Sequence, residues 1–590
     1  MSQHKKHVGA WLHSRGVTFR VWAPFADAVT TLISVSFDQN EHPMESEGDG
    51  YWSVQVRKAK AGQEYKFKMI NGDQEIIKND PRALQLTATN GTSIIVDRTF
   101  DWGRDDDFEM PAPEDQIVYE MHIGSFARKD ASTEGTFYDA IEKLDHLEKL
   151  GINIIELMPV GNMYNDRGWG YAPEYIYSVE GAYGGRHGLL EFVKAAHERG
   201  IGVILDVVYN HFYPGDNNAL HRFDGWHDGD GDGIYFYNDW RGKTPWGPRP
   251  DFGRFEVRQY LLDNVRYWLQ DCHLNGIRVD STLFMRNAKG SYDEPGADIP
   301  EAWQFMQEMN KLAKKIQPNS LMIAEESGQV ADLTMPVDVG GAGFDSQWEC
   351  AAPYAFRKAI LDENPDMGLL VELLPQTYNN QHLQRILYVD SHDSAANGAA
   401  RLNSQIDPRN PQSPKALSGL YLAAAITMTA PGVPMLLQGY EFAQDGNFND
   451  WQSLDWSLVA KHHGTFKAYS DLISLRLNNH GHSAGLKDKH INITHVDQDN
   501  KVMVYHRWSQ GGAGDDVMII ANFGTTDHGE YSFNFPRDGE WIMRFNSTWS
   551  KYYDSDSQGS PPQSGSISVN ESIGTTELPA HSICILSQEP

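Results

Sequence analysis

Apolar and polar positions change period twice along this chain. Up to about residue 105 they alternate two by two. Val17-Thr18-Phe19-Arg20-Val21-Trp22-Ala23-Pro24 reads as a strand closed by a turn, and residues 50–56 and 65–69 repeat the pattern. No useful helical period appears before about residue 130, so residues 1–105 are predicted to form a small antiparallel β-sandwich. From Gln116 the pattern becomes strand, helix, strand. Ile117-Val118-Tyr119-Glu120-Met121-His122 is a strand, and residues 136–150 carry apolar side chains at helical spacing. Residues 153–159 form the next strand; residues 188–199 form a helix with Leu189, Phe192, Val193 and Ala196 on one face and Gly200 as its stop. Strands follow at 202–211, 276–280, 321–325, 343–347, 385–390 and 433–438. Near-continuous apolar strands alternating with helices mean a parallel sheet, and eight of them close a (β/α)8 barrel, here over residues 113–478 with a Gly-, Asp- and aromatic-rich insert at about 212–255. A helix at 466–477 closes it. Beyond residue 478 the two-residue period returns at 502–507, 516–522, 541–546 and 578–586, with a Ser/Gly/Pro-rich loop at 555–566. The fold class is therefore α/β, a TIM barrel between two all-β domains, the second covering 479–590.

Active sites of such barrels lie at the C-terminal ends of the strands. Four of those ends carry polar residues: Asp206 and His211 after the third strand, Arg278 and Asp280 at the fourth, Glu325 at the fifth, His392 and Asp393 after the seventh. In Gly276-Ile277-Arg278-Val279-Asp280 the arginine and aspartate point to one side of the strand. A guanidinium at that range keeps a carboxylate ionised and aimed, as a nucleophilic carboxylate requires; an Arg-Asp pair that only closes a strand end is the other reading. In the doublet Glu325-Glu326, alternation puts one side chain inside the barrel, and the other reads as a rim or helix-start carboxylate.

Charge narrows the partners. Fifty basic against 80 acidic residues give a formal charge of −30, which excludes nucleic acid and anionic membranes and favours a neutral substrate. Sixteen Trp and 26 Tyr suit the apolar faces of sugars as well as a core. Cys272, Cys350 and Cys584 are scattered and odd in number, which fits a reducing compartment and forms neither a disulfide framework nor a zinc site. No apolar run approaches the roughly 18 residues of a membrane helix, and the N-terminus has no signal-like apolar segment, so a cytoplasmic location is expected. In the insert, Asp228, Asp230 and Asp232 are spaced like the start of a calcium loop, with Asp239 at its twelfth position. Such loops prefer Glu at the twelfth position and need flanking helices, so a polar turn is the competing reading and no cofactor is expected. Oligomeric state is not legible.

The segments Phe19–Pro24, Asp49-Gly50-Tyr51-Trp52 and Asn79-Asp80-Pro81 resemble the glycogen-binding-like module that precedes the barrel in glycoside hydrolase family 13. Asp206-Val-Val-Tyr-Asn-His211, Gly276-Ile-Arg-Val-Asp280, Ile323-Ala-Glu-Glu326 and Asp390-Ser-His-Asp393 resemble that family's four sequence blocks, in the right order and spacing. The resemblance implies retaining cleavage of α-1,4-glucosidic bonds in an α-glucan or maltooligosaccharide, the two carboxyl groups lying roughly 5 Å apart. Carried over residue by residue, it makes Asp280 the nucleophile, Glu325 the general acid and then base, and Asp393 a stabiliser of the distorted sugar. It makes Arg278 the orienter of Asp280, His211 and His392 hydrogen-bond donors to the sugar, Asp206 a support, and Tyr171 of Trp169-Gly170-Tyr171 an aromatic platform. Glu325-Glu326-Ser327, Ser391-His392-Asp393 and Tyr553-Asp554-Ser555-Asp556 resemble branching enzymes. The form of the first block, Arg167–Tyr171 and total length resemble hydrolases such as maltooligosyltrehalose trehalohydrolases or α-amylases, although Asp390-Ser391 departs from the Gln-Asn pair expected there. A non-catalytic glucan-binding protein is a third class, and the presence of all three carboxylates speaks against it.

Overall fold

The computed structural model describes residues 7–35, 38–129, 133–165, 167–215, 218–553 and 565–590. Asp554, Ser555, Asp556 and most of the Ser/Gly/Pro-rich loop lie outside them. The alternating N-terminal segment forms two antiparallel sheets. Gly9–His13, Gly16–Trp22, Tyr51–Val56 and Glu45–Gly48 make one; Asp38–Pro43, Ala28–Val35, Glu64–Asn71 and Gln74–Lys78 make the other. Their inner faces bury Val17, Phe19 and Val21 against Tyr65, Phe67 and Met69, with the Phe19 and Tyr65 rings 5.1 Å apart.

Eight parallel strands then close the barrel: β1 (Val118–Met121), β2 (Ile154–Leu157), β3 (Gly202–Val207), β4 (Gly276–Val279), β5 (Leu321–Ala324), β6 (Ser346–Trp348), β7 (Arg385–Leu387) and β8 (Val433–Leu437). β8 pairs in parallel with β1, so no edge remains. Local chemistry moves several boundaries. β3 stops at Val207, four residues before His211, and the chain from Val208 runs into the loop that carries the site. β6 begins at Ser346 because the preceding turn needs positive φ at Gly340 (100°) and Gly343 (83°). The helical stretch 136–150 is two helices, Phe137–Ile141, held by a Thr136/Asp139 capping box, and Leu144–Leu150. A hairpin, Gly161–Met163 with Pro173–Val179, follows β2 and has no counterpart among the predicted strands. The closing helix spans His463–Arg476.

The C-terminal domain is a six-stranded antiparallel sheet covered by a two-stranded ribbon. The run 578–586 is not one strand. Ile573–Leu578 belongs to the ribbon, the chain turns at Pro579-Ala580-His581 with His581 at φ 47°, and Ser582–Ser587 returns inside the sheet. Between the N-terminal module and the barrel the connecting segment is pinned beside the N-terminal ends of β3 and β4. Asp105 meets Nδ1 of both His197 and His273 at 2.5 Å, Trp102 stacks on His273 at 3.8 Å, and Phe108 stacks on His197 at 4.1 Å. These two imidazoles hold the Asp105 carboxyl down at about 2 despite burial. Cys272, Cys350 and Cys584 are all free thiols. Among the described residues no helix is long and apolar enough to cross a membrane.

Candidate active site

The sheet register aims four charged side chains at one place. Asp206 of β3 and Arg278 of β4 are register partners, and both are buried. Arg278 Nη1 donates to Asp206 Oδ2 at 2.6 Å and to Asp280 Oδ1 at 3.0 Å, while Nη2 lies 3.7 Å from Glu325 Oε2. One guanidinium therefore serves three carboxyl groups, stacked 4.3 Å over the Trp348 ring. Asp206 and Arg278 are sealed off, but the side chains of Asp280 and Glu325 keep 17% and 19% of their surface open. Burial pushes Glu325 up to about 7, with Arg278 pulling down and Asp280 pushing up. Burial likewise raises Asp206 to about 7 against the pull of Arg278. The arrangement places a carboxyl able to carry a proton near neutral pH beside a second carboxyl held by an arginine.

Backbone geometry fixes both carboxyl groups. Ser281, directly after Asp280, adopts φ 43°, a strained left-handed conformation for a residue with a Cβ, and points its N–H at Glu325 Oε2 at 2.7 Å. Asn210 Nδ2 donates to the backbone oxygen of Asp280 at 2.9 Å and to Asp280 Oδ2 at 2.7 Å. Asp393 stands at the mouth with 58% of its side chain exposed, 3.5 Å from His392 Nε2. Glu325, Trp348, Tyr354, Arg357, Tyr388 and Asp393 line a cleft of about 390 Å³.

Several side chains serve differently from the expectation. Both ring nitrogens of His211 have protein partners, Asn210 Oδ1 at 2.5 Å and the Tyr171 carbonyl at 2.8 Å, and burial lowers its pKa. It braces the site. Tyr171 lies stacked 5.1 Å from His392 and donates its hydroxyl to Asp206 at 2.5 Å, so one ring face is already covered. Trp169 packs edge-on against the same histidine at 5.6 Å. Glu326 is no rim residue: it is buried, accepting from Thr282 Oγ1 at 2.7 Å and from Arg286. Asp390 accepts from Arg357 and Tyr440, which gives the departing residue of the fourth block a structural place. The insert aspartates do not converge. Asp239 is held by Arg241 at 2.7 Å, Asp232 lies 3.1 Å from His221, and the Asp228 carbonyl accepts from Gly231 in a turn that also carries Asp230. Among the described residues no group of three His, Cys, Asp or Glu side chains is placed to hold a metal ion.

Two residues of the site escaped the sequence reading. Glu120 of β1 accepts from the backbone N–H of His392 at 2.9 Å and meets His392 Nδ1 at 2.5 Å. With Asp393 it lifts His392 to about 9 against the effect of burial. Its signal was a lone charge in an otherwise apolar strand. Asn210 lay inside the first block, unassigned between Asp206 and His211.

Comparison with known proteins identifies the three domains. Residues 121–240 and 246–511 match the model of the alpha amylase catalytic domain, residues 7–83 that of carbohydrate-binding module 48 (isoamylase N-terminal domain), and residues 493–589 that of the alpha amylase C-terminal all-beta domain. The chain is 30% identical to the 1,4-alpha-glucan branching enzyme GlgB of Corynebacterium jeikeium, over 98% of this chain and 82% of that one. It is 28% identical to the malto-oligosyltrehalose trehalohydrolase of Saccharolobus solfataricus, over 75% of this chain and 76% of that one. Among solved structures, a putative alpha amylase from Salmonella typhimurium superposes with a TM-score of 0.75 at 21% identity, covering 99% of this chain and all of the other. With catalytic barrel, N-terminal module and C-terminal domain all matched in order, the chain belongs to the alpha-amylase family.

Proposed function

We propose that this protein is a retaining α-glucan-active enzyme, and specifically a 1,4-α-glucan branching enzyme working through a covalent glycosyl-aspartate. The observation that carries the chemistry is the single guanidinium of Arg278 shared by Asp206, Asp280 and Glu325. Asp280, oriented by that cation, attacks the anomeric carbon; the glycosidic C–O bond breaks, and Glu325 delivers its proton to the leaving oxygen. The Glu325 carboxylate then takes the proton of the acceptor hydroxyl. That oxygen attacks the anomeric carbon and Asp280 leaves. Asp393, exposed at the mouth beside the His392 ring, binds hydroxyls of the distorted sugar, and Arg278 with Asn210 keeps Asp280 aimed. Relatives named GlgB that align with nearly the whole chain support a sugar hydroxyl, not water, as the acceptor. A cytoplasmic location belongs to the same reading, supported by three unpaired cysteines.

Hydrolysis is the second reading, favoured by the trehalohydrolase relative. Purified enzyme incubated with amylose separates the two. Loss of iodine colour without new reducing ends, together with α-1,6 linkages by NMR, marks branching. Reducing sugar marks hydrolysis, and trehalose released from a maltooligosyltrehalose names the hydrolase.

A further inference from the structure

The insert after β3 sends one buried cation to the helix that follows Asp280. In Pro248-Arg249-Pro250, the first proline fixes its own backbone and the second holds Arg249 out of the helical region. Isolated bridges bracket the stretch, Lys243 with Pro248 and Phe236 with Pro250. Arg249 donates its backbone N–H to the Gly242 carbonyl at 2.8 Å, and its own carbonyl accepts from Tyr237 at 3.2 Å. The side chain on this stiff carrier is fully buried. Among the described residues its guanidinium donates to backbone oxygens alone: Nε to Phe284 at 2.8 Å, Nη2 to Ala288 at 3.2 Å and Nη1 to Arg241. Burial without a carboxylate partner brings its pKa down to about 10.

Two of those oxygens belong to the helix Thr282–Arg286 and the turn beyond it. Five residues make a helix too short to persist alone, and the last carbonyls of any helix lack partners within it. Arg249 supplies them from outside, as basic side chains do at helix C-termini. The Trp246 ring, on the same loop, adds a second contact, 4.7 Å from the Phe284 ring. The other end of the helix meets Glu325. Ser281 donates its N–H to Glu325 Oε2 at 2.7 Å, and Thr282 gives its N–H at 2.9 Å and its hydroxyl at 3.0 Å to the Glu325 carbonyl. Ser281 does so at φ 43°, a conformation that persists only while its surroundings impose it.

We propose, on the reading of Glu325 as the general acid, that Arg249 is a positioning residue for proton transfer: by holding the C-terminal carbonyls of this helix it keeps Ser281 in place and so aims the Glu325 carboxyl at the glycosidic oxygen. Arg249 is buried and acts through the helix, not on substrate. The charged and titratable groups facing Glu325 are Arg278 and Asp280 from β4, Cys350 after β6, and Tyr388 and Asp393 after β7, while Arg286 of the helix pairs with Glu326. None of these side chains hydrogen-bonds the Arg249 guanidinium, so its influence on Glu325 passes through Ser281 and Thr282. An N–H given to a carboxyl oxygen favours the ionised form; its loss raises the pKa of Glu325.

The test compares Arg249→Met and Arg249→Lys with wild type in the full-length protein, reading kcat and KM on amylose between about pH 5 and 9, beside thermal melts. Arg249→Met is expected to lose about tenfold in kcat with KM unchanged. Its alkaline limb should move up by about one pH unit, the scale of one hydrogen bond to a charged group. A glucosyl fluoride, whose leaving group needs no protonation, should return the first step to near the wild-type rate. Arg249→Lys keeps the charge and fewer of the bonds, so it should shift the limb less in the same direction, and it carries the test if the Met variant does not fold. An unmoved alkaline limb in a folded variant overturns the proposal whatever the fall in kcat, because a merely structural loss lowers the amount of active enzyme and not the pKa of its acid. A raised KM at unchanged kcat overturns it too. Glu325→Gln separates the two readings: near-wild-type turnover there removes the general acid and the proposal together. An inactive Glu325→Gln beside Arg249 variants with the wild-type limb removes the role of Arg249 alone.

Discussion

Arg385 and Arg278, two of the buried arginines of the barrel domain, do opposite things. Arg385, opening β7, gives Nε to Glu349 at 2.9 Å, Nη1 to the Gln376 carbonyl at 2.6 Å and Nη2 to the Leu373 carbonyl at 3.0 Å. Glu349 in turn accepts from Tyr378 at 3.0 Å and Gln329 at 3.2 Å, so every nitrogen of Arg385 and both oxygens of Glu349 have a protein partner. Arg278 on β4 is equally buried, yet its Nε has no partner, Asp206 Oδ1 has none, and two of its three carboxylates look out into the cleft. Burial and pairing are common to both arginines. What separates the two is access: Asp280 and Glu325, which Arg278 aims, are partly open to the cleft, whereas Glu349, which Arg385 holds, is buried.

That contrast can be broken by mutation. Asp280→Asn should have the largest effect, a fall in turnover of about 10⁴-fold or more, because no other side chain can form the glycosyl ester; glucan assays with residual activity near wild type would remove Asp280 from the role. Glu325→Gln should cost roughly 10²–10⁴-fold. The proton on Glu325 is the one delivered, and its pKa is raised to about 7, so wild-type kcat should decline as pH rises through that value. A leaving group that needs no protonation should restore much of the variant's first step and flatten its alkaline limb. Arg385→Met should act on stability instead, by about 3–5 kcal/mol in chemical denaturation, since it strands Glu349 in the interior. Arg278→Met should also destabilise, since it strands the sealed Asp206, but unlike Arg385→Met it should abolish turnover by releasing Asp280 and Glu325. If Arg385→Met kept its stability and lost activity, the distinction between the two arginines would be wrong.

The smallest effect is expected at Glu120. It touches no substrate; it positions His392 through both the ring and the backbone. Because His392 in the folded chain is raised from 6.5 to about 9, its stabilising contribution is complete below about pH 6.5 and is lost as pH rises through about 9. Glu120→Gln should therefore be less stable than wild type at pH 6, with the gap narrowing by pH 10. Turnover should fall about tenfold, with its alkaline limb moved to lower pH. A stability gap independent of pH would make Glu120 a packing residue only.

Much of this was readable in the chain because strand ends in a barrel are where polar residues break an apolar run. Asp206, Arg278, Asp280, Glu325, His392 and Asp393 all announced themselves in that way, and the fold brings them together. Glu120 did not, because a charge inside a strand says nothing about which distant loop it will hold. Trp348, which lies under Arg278, reads as one more core aromatic until β5 and β6 are neighbours. Tyr171 and His211 were recognisable as belonging to the site, but the Tyr171 bond to Asp206, its stack on His392 and the Tyr171–His211 bond depend on a hairpin whose two short strands carry no clear periodicity. The division of 573–587 into two strands turned on His581 in a left-handed conformation that glycine would have advertised.

The pinned segment around Asp105 settles how the N-terminal module can contribute. A module on a free linker raises the effective concentration of whatever it holds, and that gain depends on linker length. Here Asp105 staples the connection to His197 and His273, and Trp102 and Phe108 stack against the same two rings. The module is thus a fixed wall and not a tethered hook. Lengthening the linker would weaken whatever the module does, and grafting it onto another barrel would not carry the property across.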